Sequence, residues 1–180
     1  MKLIQRLRRF ACENKGVAAL EFAIIAPLLM VPLLLGSVDL IDVMGANKRA
    51  QNAAASLADV VARDTEISNA EMTGLWRGLD ILMYPNAPGD MEMRITSISI
   101  INASTARVIW SEGHGGMSGR TAGSTVTLDG RMMNPGTSVI MVESVYKYDA
   151  PLGFLFQSQV RMTHNAYRRS RLVDPIPRVP

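Results

Sequence analysis

The chain has 180 residues, a hydrophobic share of 48% and a formal net charge of +3, which fits one small domain with an appendage. Residues 1–16 hold five basic residues and one acid, so residues 17–180 carry −1, the +3 less the +4 of that first segment. A near-neutral remainder has no basic stripe for phosphates, which argues against a nucleic-acid partner. The single Cys12 cannot form an intrachain disulfide, so whatever folds downstream must hold together by packing.

The first predicted element is a membrane-spanning helix. Between Lys15 and Asp39 the only ionisable residue is Glu21, and Val17 to Val38 is a run of 22 residues, long enough to cross the ~30 Å hydrocarbon core of a bilayer. Lys2, Arg6, Arg8, Arg9 and Lys15 precede it, whereas Asp39 and Asp42 follow it before Lys48 and Arg49. That asymmetry keeps the N-terminus in the cytoplasm and places the C-terminal part on the other side. A secretory signal would have an apolar region of ~7–15 residues ending in a small-x-small site. This run is longer and ends in Leu35-Gly36-Ser37-Val38-Asp39, so an uncleaved signal anchor is the stronger competitor.

Glu21 stands out because a carboxylate inside a membrane segment costs several kcal/mol unless it finds a partner or reaches the interface. Its plain reading is a side chain near the end of the run that snorkels to the headgroups. The junction Glu13-Asn14-Lys15-Gly16-Val17-Ala18-Ala19-Leu20-Glu21-Phe22, followed by Ala-Ile-Ile-Ala-Pro27, resembles a type IV prepilin signal. Ala18-Ala19-Leu20-Glu21-Phe22-Ala23 with Ala26-Pro27-Leu28-Leu29 is similar to the N-terminal signature of TadE-like minor pseudopilins of tight-adherence (Flp) pilus systems. The resemblance is strongest over residues 14–45. It implies cleavage after Gly16 by a prepilin peptidase, a mature chain starting at Val17, and Glu21 pairing with the N-terminal amine of a neighbouring subunit. Phe22 and Pro27 flank the motif. The implied partners are that peptidase, other pseudopilins or pilin subunits, and the inner-membrane assembly platform. The implied location is a bacterial inner membrane, single-pass, with the C-terminal domain periplasmic. Major Flp pilins are shorter and carry tyrosine where this chain has Phe22, so the main fibre subunit is not the match.

After the run, positions 46, 50, 53, 54, 57, 60 and 61 are small or apolar at steps of three and four, one buried face of a helix that continues the stem to Asp64. As one rod, Val17 to Asp64 would be about 72 Å long, with kinks expected at Pro27, Pro32, Gly36 and Gly45. A second helix is predicted from a cap at Ser68 or Asn69 through Leu75, Trp76, Leu79, Leu82 and Met83, stopped by Pro85. Trp76 is an aromatic at helical spacing, a packing residue before it is a ligand contact.

Strand-like runs follow at Met93 to Ile101, Arg107 to Trp110, Ser138 to Tyr148 and Gln159 to Tyr167. Residues 113–137 are rich in Gly, Ser and Thr and predict a mobile loop with a short strand at Thr125 to Leu128. The Pro-rich tail 171–180 is expected to be loosely ordered. The organisation predicted is therefore a leader 1–16, a transmembrane helix 17–38, its continuation 39–64, a second helix and linker 65–89, a sheet domain 90–170 and the tail. The fold class is α+β: a long stem helix, a short helix and a small antiparallel sheet.

No catalytic constellation accompanies this layout. His114 and His164 stand alone, without a nucleophile motif or metal-ligand spacing around them, and the twelve methionines form no cluster. The expectation is a non-enzymatic protein without cofactor or metal, assisting assembly or initiation of a pilus through helix contacts. The alternative from another class is a periplasmic binding module that its helix merely tethers.

Overall fold

The computed structural model describes residues 16–86 and 90–180. The basic leader through Lys15, with Cys12, and residues 87–89 of the expected linker lie outside the described residues. The stem is one continuous helix, α1 (Val17–Ala62), of 46 residues and about 69 Å. Pro27 and Pro32 lie inside it, and neither proline nor Gly36 or Gly45 interrupts it. Each proline removes one donor from a ladder of more than forty, which the strong apolar helix formers around it outweigh.

The two halves of α1 have opposite surroundings. From Val17 to Leu35 almost every side chain is exposed, whereas Gly36, Asp39, Val43, Ala46, Ala50, Ala53, Leu57 and Val61 form a buried stripe. Steps of three and four keep these residues on one face. The alanines let the helix backbone approach closely what it packs on. Val60, expected in that stripe, is 53% exposed, because it sits at the stripe's edge and borders a groove instead.

The second helix, α2 (Asn69–Met83), begins at Ser68, whose hydroxyl accepts from the Glu71 backbone N–H while the Glu71 carboxylate accepts from the Ser68 N–H. This capping box satisfies two N-terminal donors reciprocally. Met72, Leu79 and Met83 bury, and they join the stem in one cluster with Met91, Met93, Ile95, Ile140 and Val142.

The sheet has five strands: β1 (Met91–Asn102), β2 (Thr105–His114), β3 (Thr125–Val126), β4 (Ser138–Tyr148) and β5 (Val160–Arg169). Their spatial order is β3-β2-β1-β4-β5, with every pairing antiparallel. Met93, Ile95, Val142, Tyr146 and Met162 face the cluster under the stem. A bulge where Ser97 pairs with Trp110 and Ile98 with Val108 leaves Ile109 unopposed. The extra residue brings Trp110 to the stem face and Val108 to the other face.

That other face carries a second cluster of Ile98, Ile100, Ala106, Val108, Val139 and Met141, covered by Val126, Leu128 and Met133. Residues 113–137 are therefore not the mobile linker expected. Gly113 and His114 belong to β2, and the remainder folds back as a lid. Arg94 and Arg120 both pair with Glu143, and Arg94 also donates to the Ser118 carbonyl at 3.1 Å. A side chain at Gly113 would place its Cβ 1.9 Å from the Met117 carbonyl oxygen, so the close return of this segment requires glycine there.

The tail is also docked, contrary to expectation. Ile176 is fully buried, its carbonyl accepts from Trp110 Nε1 at 2.8 Å, and Ile67 exchanges backbone hydrogen bonds with Pro177 and Val179. Arg171 donates from its backbone to the Ala62 carbonyl at 2.9 Å, closing the end of α1. Asp59 on α1 pairs with Arg171 and Arg168. One buried isoleucine and a strand-like bridge outweigh the low ordering propensity of a proline-rich tail.

Candidate membrane and subunit interface

Gly16 is the N-cap of α1 and Val17 its first helical residue; no side chain caps this end. Gly16 is exposed, and a Cβ there would meet nothing within 4 Å, so no side chain among the described residues crowds the Gly16–Val17 peptide. Glu21 lies one turn beyond Val17 on the same face, also exposed. Phe22 is 72% exposed and Pro27 is exposed as well. The five residues singled out from the sequence thus line one open end of a rod, with no protein contact among the described residues.

The apolar run is open along its length. The helix is long and apolar enough to cross a membrane, and none of its most apolar 18-residue stretch is buried. A soluble helix would hide such a surface against its own core. This one leaves it to lipid or to other stems, as a single-pass anchor does.

At the far end of the run the structure shows a site the sequence did not reveal. Asp39 is fully buried, and its Oδ2 accepts from the backbone N–H groups of Phe154 at 2.7 Å and Leu155 at 2.8 Å. Leu155 lies over Gly36, where a Cβ would come within 3.2 Å of its side chain. The connection between β4 and β5, residues 149–159, is thereby fastened to the stem where the stem meets the sheet. The readable signal was composition: Ala150-Pro-Leu-Gly-Phe-Leu-Phe156 is too apolar for an ordinary strand connection. Asp39, weighed only as a topology charge, is a tether.

A second open apolar feature is a groove of about 450 Å³ between the end of α1 and α2, lined by Leu57, Val60, Leu75, Ile81 and Leu82 with Gly74 and Gly78. Trp76, on the other side of α2, stacks on His114 with ring centroids 4.6 Å apart. This is the packing role expected of it, and it takes His114 out of the glycine segment. His164 sits on edge strand β5 in a cleft with Gln51 and Ala54, and burial lowers its pKa. Among the described residues no three His, Cys, Asp or Glu side chains are grouped as a metal site.

No curated protein and no solved structure matches the chain. The family model of TadE-like protein matches residues 16–59, from the N-cap glycine to within one turn of the end of α1. That segment of the stem is TadE-like, which is consistent with a protein of the tight-adherence pilus system.

Proposed function

We propose that this protein is a non-enzymatic minor pseudopilin that assists assembly or initiation of a tight-adherence pilus through contacts of its stem. The observation that carries the reading is that the N-cap of α1 and the start of the family match fall on the same residue, Gly16, at the head of a stem half whose apolar surface the described residues leave open. Cleavage after Gly16 by a prepilin peptidase would free the Val17 amine at the tip of a preformed rod. Glu21 would then pair with such an amine on a neighbour, which compensates the cost of holding its charge in lipid. The apolar half of α1 would pack against sister stems near the inner membrane, and the sheet domain would stand on the periplasmic side.

The test is the N-terminal residue of the membrane-extracted protein, read by mass spectrometry with and without the peptidase and in Gly16→Val. A start at Val17 that needs both the enzyme and the glycine is expected. An intact leader in the presence of the peptidase would overturn the proposal in favour of a signal-anchored module. Exchange of residues 1–38 for an unrelated anchor should abolish pilus assembly, and retained assembly would refute a role for the stem.

A further inference from the structure

We propose that the β4–β5 connection is seated in the membrane: Leu152, Phe154 and Leu155 enter the headgroup and acyl boundary of the leaflet through which α1 leaves the bilayer, and Asp39 latches them to the stem. The inference rests on α1 spanning the membrane and deepens that reading by adding a second lipid contact.

The first argument is depth. With Asp39 sealed under the loop, the next exposed ionisable residue after Glu21 is Asp42. Phe22 to Ile41 lies between them, 20 residues, or about 30 Å, the thickness of a bilayer's hydrocarbon core. Leu155 contacts the helix at Gly36, six residues inside Asp42 and so about 9 Å below it. That is the depth at which apolar faces of interfacial segments sit, ~5–10 Å into the boundary.

The second argument is polarity along the loop. Its base, Asp149 and Pro151, lines a polar cleft with Asp42 and Arg49, the water side of that level. Its tip runs from there towards the apolar run and is 52% exposed at Leu152, 42% at Phe154 and 53% at Leu155. Close to that level of the stem Leu40 and Ile41 are also exposed, so the tip adds to apolar surface already open there. The third argument is backbone satisfaction. The loop N–H groups closest to the run, those of Phe154 and Leu155, are already taken by Asp39, so immersion strands neither donor. The Asp39 carboxylate is hidden from lipid by the residues it fastens, with Oδ2 taken by both N–H groups and Oδ1 buried without a hydrogen-bond partner among the described residues.

The experiment uses the full chain with Cys12→Ser, reconstituted in phosphatidylethanolamine–phosphatidylglycerol vesicles and spin-labelled in turn at Leu152→Cys, Phe154→Cys, Leu28→Cys and Ser104→Cys. Collisions with oxygen, which partitions into lipid, are compared with those of a water-soluble nickel chelate. At 152, 154 and 28 oxygen collisions are expected to dominate, with the reverse at 104 on the β1–β2 turn. Nickel dominance at both 152 and 154 with oxygen dominance at 28 would overturn the seated loop while leaving the anchor intact. Nickel dominance at 28 would overturn both. Shielding from both reagents at 152 and 154 would mean a neighbouring protein covers the loop and would refute a lipid contact. Either of the two loop labels suffices if the other disturbs folding.

Discussion

Glu143 is the charge that holds the lid over the second cluster, and Glu143→Gln removes the charge while keeping the shape. The wild-type carboxylate takes Arg120 in two hydrogen bonds, at 2.8 and 3.1 Å, and Arg94 in one at 2.8 Å. Side-chain exposures of 16% for Glu143, 18% for Arg94 and 32% for Arg120 place the trio between a surface pair, worth ~0–1 kcal/mol, and a buried one, whose breaking costs ~3–5 kcal/mol. A loss of about 2 kcal/mol at neutral pH follows, which for a chain of this size lowers Tm by ~4–8 °C. Burial alone raises the Glu143 pKa, but the hydrogen bonds from Arg120 and Arg94 and their charges together outweigh it, so the net direction is down from 4.5. A carboxyl depressed in the folded state contributes stability that is present above its unfolded pKa and lost as pH falls through the folded one. The gap between wild type and Glu143→Gln should therefore be full at pH 7 and shrink below the unfolded carboxylate range. Near-ultraviolet circular dichroism of the detergent-solubilised protein, melted at several pH values, measures both. A gap below ~0.5 kcal/mol at neutral pH, or one that does not change on acidification, would refute the reasoning.

Other residues carry equally specific expectations. Ala50 is fully buried in the stem stripe, and Ala50→Leu should overpack that face and cost ~1–3 kcal/mol. Chemical denaturation would show it as a lower midpoint, and no change would mean that the helix does not lie close to the sheet. Trp110→Phe keeps an aromatic side chain but shrinks it and deletes the donor to the Ile176 carbonyl, a loss of about 1 kcal/mol for the hydrogen bond plus the cost of the volume removed. Faster amide exchange at Ile67 and Val179, which bond the docked tail, should accompany it; unchanged exchange would show that the tail is held elsewhere.

The TadE-like segment and the apolar character of the stem were written locally. The apolar run, its single acid, the glycine before Val17 and the basic leader are contiguous features, and a 22-residue run reports its solvent without tertiary information. The Ser68 capping box and the stop at Pro85 are likewise local, so α2 was legible to within its ends. The sheet was legible as strands, but its order was not, because hydrophobic alternation states that a face is buried and not against what. Four strands and a short one at Thr125 to Leu128 were expected, and the short one, Thr125–Val126, joins the edge beside β2.

What only the tertiary structure decided are contacts between distant residues. Asp39 meets Phe154 and Leu155 across 115 and 116 positions, and Trp110 meets Ile176 across 66. Asp39 looked like a charge in water because it directly follows the apolar run, with Asp42 three residues on. Its true environment comes from a loop more than a hundred residues away. The tail and residues 113–137 looked loose for the same reason: glycine and proline lower local order. Here that loss is offset by burial on a surface the local sequence does not contain. A two-faced sheet beside a single stem leaves one face bare, and something in the chain has to cover it.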